Sequence, residues 1–478
     1  MPASPVDAMD PYQLTHDAIQ EPPTTLAGKL RHIGPGFILS ASIVGSGELI
    51  ATTIVGAKAG FILMWFIIFS CLVKVAVQLE FGKHAIGSGE STMASFNTLP
   101  GPKLGSANWT IWTWLLLMLA KMLQVGGIVG GVVMALAHFF PSLTADGKLT
   151  LAGIAAAYVV AASVALLVFQ GYYQLLEKAS LIMIGAFTLF TMASLFALQA
   201  TDYAISSSDL VAGIVPTIPD ATLLVVAMGA FGITGVGGDE IMAYNYWLIE
   251  KGYARYVGPK DESAEWERRA KGWIRIMYWD ALLSMVAYTL MTVMFYLLGA
   301  AVLNRMGQEP ADTELISALS TMYTETLGPW ARTAFVVGAI VVLYSTLMAA
   351  LAAWSRMFAD AFGRVGLYDF QDEKSRRIAI AVSAWLIPFG WATLFAFIQM
   401  PDQMVILGGI STVFILLIVI FASLYFRYKR LDPRLVSGGL YDFCLWTSSI
   451  AICLVAFYLL YVKVFLKVLA LFVGEPEA

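Results

Sequence analysis

The chain has 478 residues, 59% of them hydrophobic and 13% charged, and its mean hydropathy of +0.75 lies outside the range of soluble globular proteins. The formal charge of −4 says little by itself, because in a membrane chain the placement of Lys and Arg matters more than their sum; no nucleic-acid partner is expected. Cys71, Cys444 and Cys453 lie in apolar runs without metal spacing, which excludes a disulfide framework.

Residues 1–28 carry Pro, Asp, Glu and Thr with neither a basic n-region nor an apolar h-region, so they read as a disordered cytosolic tail. Runs of about twenty apolar residues divide the remainder into eleven spans, near 33–58, 61–83, 109–137, 149–169, 175–199, 221–250, 273–303, 329–362, 376–400, 403–427 and 440–466. An all-α polytopic membrane protein is expected. Lys29, Arg31, Lys83, Lys103, Arg356, Arg364, Arg427, Lys429 and Arg430 fall on one side of the resulting topology, which predicts a cytoplasmic N-terminus in the cell membrane. The charged stretch Lys251 to Lys271 reads as a solvated connector between spans or as a short amphipathic surface helix.

Two spans are interrupted. The first runs through Gly45-Ser46-Gly47-Glu48 and the sixth through Gly235-Val236-Gly237-Gly238-Asp239-Glu240. Each backbone group left unpaired in hydrocarbon costs several kcal/mol, so irregular backbone is tolerated only where it lines an enclosed or water-filled cavity. Two Gly-interrupted spans in distant halves of a chain point to an inverted-repeat secondary transporter. The expected organisation is a five-helix repeat over 29–200, a second of opposite topology over 220–428, broken helices 1 and 6 opening them, and a peripheral eleventh helix at 440–466.

Gly34-Pro35-Gly36-Phe37, Gly56-Ala57-Lys58-Ala59-Gly60 and Gly213-Ile214-Val215-Pro216-Thr217-Ile218-Pro219 resemble the Nramp family of divalent-metal transporters, over nearly the whole membrane part. The resemblance implies a fold of the sodium-coupled amino-acid transporter type, with alternating access around helices 1 and 6. Its departures bear on the substrate. Where the family carries Asp-Pro-Gly-Asn to bind metal, this chain has Gly45-Ser46-Gly47-Glu48, and where it carries Met-Pro-His, Gly237-Gly238-Asp239 stand. The soft metal ligand is gone. The acidic proton route of the family's third span is replaced by Lys121 and Gln124.

A broken helix presents about +0.5 charge and up to four unpaired N–H groups at the start of its second half. Gly45, Gly47, Gly235, Gly237 and Gly238 leave such donors open to a small oxyanion, and Lys121 would add a full positive charge. Ser46, Glu48, Asp239 and Gln124 complete the candidate substrate site. Glu48, Asp239 and Glu240 have two readings: helix caps, or ligands of a coupling cation or a hard divalent metal. Ser42, Ser345 and Thr346 are candidates for a coupling Na⁺, although hydroxyls in membrane helices commonly bond carbonyls of their own helix. Lys74, inside the second span, has no partner legible in the sequence. There is no zinc spacing, phosphate loop or nucleophile triad, and neither an enzyme nor a cofactor is expected. The expectation is a secondary active carrier of a small inorganic oxyanion. Bicarbonate comes from the resemblance, because a branch of Nramp-related proteins lacking the metal motif is assigned to it. Na⁺ is preferred over H⁺ as the coupling ion; the alternative is a divalent cation carrier of the Mg²⁺/Mn²⁺ type. Oligomeric state is left open.

Overall fold

Long apolar runs leave the backbone no partner but itself, and the chain answers with helices. The computed structural model describes residues 10–462 apart from 146–147, 170–172 and 311–314, and leaves aside the side chains of Ala41, Ser46 and 173–184. Among the described residues nine helices are long and apolar enough to cross a membrane. The first span and Tyr173–Ala197 bring the helical spans to the expected eleven.

The spans run in chain order. The first is α1 (Pro35–Ile43), a π-helical coil over Val44–Thr52, and α2 (Thr53–Ala59). The second is α3 (Met64–Val73) and α4 (Val75–Ser88), joined at Lys74. There follow α5 (Trp109–Ala137), α6 (Leu151–Phe169) and α7 (Tyr173–Ala197). The sixth span is α8 (Ala221–Ile233) and α9 (Gly238–Glu250). The last five are α10 (Ala264–Leu298), α11 (Ala331–Val365), α12 (Glu373–Ile398), α13 (Pro401–Tyr425) and α14 (Gly439–Leu460).

Glycine lets α13 lie close to its neighbours. Gly408 sits on the backbone of Gln124 in α5, and across the contact between α13 and α8 Gly232 lies against the Gly409 carbonyl and Gly409 against the Gly229 carbonyl. Small residues at such crossings replace the hydrophobic drive that lipid does not supply. Helix α14 packs on α13 and α4, with Tyr441 Oη donating to the Ala76 carbonyl at 2.9 Å.

Three expectations are corrected. Helix 1 is not interrupted: Ile43, Val44, Thr52 and Thr53 all keep right-handed helical angles, and the Gly-Ser-Gly stretch widens into π turns. The described part of the tail is packed rather than disordered. Tyr12 Oη donates to Glu250 at 2.8 Å, Asp10 pairs with Arg376 at 2.7 Å, and the Gln20 carbonyl accepts from Trp273 Nε1 at 3.0 Å; residues 1–9 lie outside the described residues, as do 463–466 of the expected eleventh helix. The stretch Lys251–Lys271 is no separate surface helix either. It contains the buried turn Tyr253–Val257 and then the start of α10, which runs unbroken into the seventh span.

The intramembrane acids find partners. Asp280 accepts from the Gly34 and Gly36 N–H groups (2.8 and 2.6 Å) and from Tyr244 (2.9 Å), fixing the N-terminus of α1. Asp360 accepts from Ser91, from Tyr246 at 2.8 Å and from Arg364 at 3.0 Å.

Candidate transport site

The sixth span breaks as expected. Thr234 N–H closes the last turn of α8 on the Ala230 carbonyl at 2.8 Å; Thr234 itself is extended, and Gly235 takes φ +63°. Only glycine adopts that conformation without strain. The chain re-enters helix at Gly238 with Gly237 as an N-cap that offers no side chain. The first turn of α9 therefore faces the break with its positive dipole end, carrying Asp239 and Glu240.

Helix 1 meets this break through Glu48. Its Oε1 accepts from Gly235 N–H at 3.1 Å and from Thr292 Oγ1 of α10 at 2.7 Å, while Oε2 is buried without a hydrogen-bond partner. Gly47 lies against the Ile233 carbonyl and Gly45 against the Thr346 side chain. The glycines of helix 1 thus allow close approach to α8 and α11 rather than presenting an open helix end, which corrects the expectation of bare N–H donors from both halves. The Ser46 side chain lies outside the described residues.

The carbonyl end of α8 is covered by Lys74. Its Nζ donates to the Phe231 carbonyl at 2.6 Å and the Thr234 carbonyl at 2.5 Å, and stands 4.8 Å from the Phe231 ring centroid. Ser70, one turn earlier, lies 2.6 Å from Thr234 Oγ1. The partner absent from the sequence reading is a helix C-terminus.

Lys121 does face the bundle, but not as a lone charge. Its Nζ lies 2.8 Å from Asp239 Oδ1 and donates to Thr412 Oγ1 of α13 at 2.6 Å. Trp354 Nε1 of α11 donates to Asp239 Oδ2 at 3.1 Å. Lys121, Asp239 and Thr412 are each at most 3% exposed. Gln124 is buried beside this pair on α5, its backbone against Gly408. Trp354, Thr292 and Ser70 went unseen in the sequence because nothing in an apolar helix marks which polar side chain turns inward.

Ser345 and Thr346 both donate to the Val342 carbonyl of their own helix, at 2.9 and 3.1 Å. Thr346 nevertheless sits where α11 touches helix 1 at Gly45. Ser42 lines a narrow cleft with Asp239, Glu240, Trp247 and Trp354. Its free volume of ≈ 10 Å³ is about that of one water molecule, so a larger ion needs the helices to move.

Among the described residues no three His, Cys, Asp or Glu side chains are grouped so as to hold a metal ion. Asp239 takes the Lys121 ammonium and the Trp354 indole, and Glu48 Oε1 a hydroxyl and a peptide N–H, while Glu48 Oε2 and Glu240 Oε2 are buried without a hydrogen-bond partner.

The family model described as natural resistance-associated macrophage protein-like (Nramp) matches residues 36–462. The chain belongs to the Nramp family. Among curated proteins this Nramp chain is 24% identical, over 351 residues, to an uncharacterised protein of Pasteurella multocida (strain Pm70); the match covers 72% of this chain and 73% of that one. Among solved structures it is similar to a point variant of the manganese transporter of Eremococcus coleocola, with a TM-score of 0.68 at 16% identity and coverage of 98% of this chain and 94% of that one. It is also similar to MhsT in complex with L-phenylalanine (TM-score 0.59, 14% identity, 92% and 99% covered). A nucleobase-cation-symport-1 family transporter in a closed conformation with bromovinylhydantoin bound gives 0.54 at 17% identity, with 90% and 92% covered. The likeness establishes the shared fold, and with the family it makes this Nramp protein a multi-pass secondary transporter rather than an enzyme.

Proposed function

We propose that this transporter carries a small oxyanion, with bicarbonate as the leading candidate, by alternating access around helices 1 and 6, and that Na⁺ or H⁺ drives it. One observation carries the reading: the Asp239 carboxylate lies in a receptor made of the Lys121 ammonium at 2.8 Å and the Trp354 indole at 3.1 Å, beside the Thr412 hydroxyl. Bicarbonate is planar, singly charged and carries the same O–C–O arrangement as a carboxylate. It can therefore exchange with Asp239 on those donors when the cleft opens, with the positive start of α9 next to it. The displaced Asp239 and the hydroxyls of Ser42, Ser345 and Thr346 are then the groups for a coupling Na⁺, and Glu240 for a coupling proton. The protein is placed in the cell membrane with its N-terminus in the cytoplasm, as the Lys and Arg asymmetry favours.

A second reading, transport of a divalent cation, is favoured by the fold shared with a manganese transporter and by the orphaned Glu48 Oε2. Proteoliposome uptake separates the two. The oxyanion reading expects bicarbonate-dependent alkalinisation of the lumen under an inward Na⁺ gradient. Saturable Mn²⁺ or Mg²⁺ flux abolished by Glu48→Gln, with no response to bicarbonate, would reject it.

A further inference from the structure

The carbonyl end of α8 is a negative helix terminus buried in the membrane core, with the orphan carbonyls of its last turn pointing into the break. In such a place a free cation would find two oxygens already arranged. Here the place is taken by a side chain. Lys74 Nζ reaches the Phe231 and Thr234 carbonyls at 2.6 and 2.5 Å and approaches the Phe231 ring face at 4.8 Å, and the residue is fully buried.

Two further observations make this more than a helix cap. Three of the buried carboxylates are engaged elsewhere, Glu80 with Lys83, Asp239 with Lys121, and Glu48 with Gly235 and Thr292, while Glu240 makes no ion pair with Lys74. Among the described residues no carboxylate forms an ion pair with Lys74, and the oxygens in contact with its ammonium are the Phe231 and Thr234 carbonyls, as they would be for a bound alkali cation. The second span, moreover, loosens at Lys74, the single residue joining α3 to α4, although its backbone stays right-handed helical at φ −85° and ψ −14°. An intramembrane ammonium costs several kcal/mol unless it is fully coordinated. An uncharged residue there would avoid that cost but would leave the two carbonyls with the Ser70 hydroxyl as their only remaining side-chain donor, at 3.2 and 3.5 Å.

We propose that Lys74 is a tethered cation: its ammonium occupies a cation site formed by the Phe231 and Thr234 carbonyls at the break of the sixth span, so that this site never takes up or releases an ion during transport. Lys74 is then a specificity-determining residue, and it confines any coupling cation to a different place. The inference goes beyond the substrate assignment and stands whichever ion is carried.

The test uses the purified full-length protein in detergent without substrate, so its outcome is separate from that of the uptake experiment. Lys74→Ala opens the cradle. Its unfolding midpoint should rise by a few degrees, saturably, when N-methylglucamine is replaced by ethylammonium or Na⁺, while the wild-type midpoint stays unchanged by the exchange. Lys74→Met keeps the length but not the charge, and should unfold at lower temperature and transport at least about tenfold more slowly, consistent with loss of a buried charge-assisted contact. A Lys74→Ala midpoint indifferent to every cation overturns the proposal. If that variant is not recovered folded, Lys74→Met decides: wild-type stability and transport without the charge overturn it equally.

Discussion

At the scale of single residues, the described core holds the buried lysines Lys121 and Lys74 with acceptors already in place. Lys121 and Asp239 neutralise each other, and Lys74 donates to carbonyls. Such pairs add little net stability but leave a costly orphan when one member is removed. Outside the spans, Glu90 shows the same economy. Burial raises its pKa, but hydrogen bonds and charge from His84 (3.2 Å) and Arg430 (2.8 Å) outweigh that and pull it from 4.5 down to about 2. A carboxylate with a depressed folded pKa stabilises the fold above its unfolded value, and that contribution is lost as pH falls through the folded value. Glu90→Gln should therefore lower the unfolding midpoint at pH 7, and the gap to wild type should close between about pH 4.5 and pH 2. A gap of constant size at every pH would show that packing, not charge, is what the substitution removes. Individual residues were unevenly legible. Lys121, Glu48 and Asp239 announced themselves as charges in apolar runs, yet no spacing rule reveals that Lys121 and Asp239 meet, because their helices are joined only by the tertiary fold. Lys74 was visible as an anomaly, and its partner was hidden because backbone carbonyls carry no sequence signature.

At the scale of elements, the two interrupted spans resolve differently although both are rich in glycine. In the sixth, Gly235 at φ +63° and the bare cap Gly237 end one helix and begin another. In the first, the chain stays helical by loosening to π turns, a device that keeps backbone groups paired through i→i+5 bonds. Glycine composition alone does not separate a break from a close approach. Gly47 is the decisive position, since a Cβ there would drive into the Ile233 carbonyl, the last residue of α8. Gly47→Ala should cost roughly 1–3 kcal/mol as an overpacked contact and slow transport by displacing helix 1 from the break, read as a lowered unfolding midpoint with reduced uptake. A variant with wild-type midpoint and uptake would mean that helix 1 and α8 are not held in register there. The eleven spans and the break in the sixth were legible from apolar length and Gly punctuation. The packed segment Asp10–Gln20 was not, because its anchors, Glu250, Arg376 and Trp273, lie more than two hundred residues away in sequence.

At the scale of the whole molecule, the chain keeps the Nramp fold, and the proposed function rests on the charges at its centre. Helices from both halves converge on Glu48, Asp239 and Glu240, and two lysines, Lys121 and Lys74, share their space. A centre that already supplies its own cations gains less from a divalent ion than from an anion able to exchange with an internal carboxylate. The central claim is that Lys121 and Trp354 form an oxyanion receptor which Asp239 occupies in the closed state. The most direct measurement is the bicarbonate dependence of the unfolding midpoint in purified wild type, Lys121→Met and Asp239→Asn, at fixed pH and ionic strength. The account predicts saturable stabilisation of wild type, saturation at lower bicarbonate concentration in Asp239→Asn, where the competing carboxylate is gone, and no response in Lys121→Met. Equal stabilisation of all three proteins, or stabilisation of wild type by Mn²⁺ and not by bicarbonate, would contradict it.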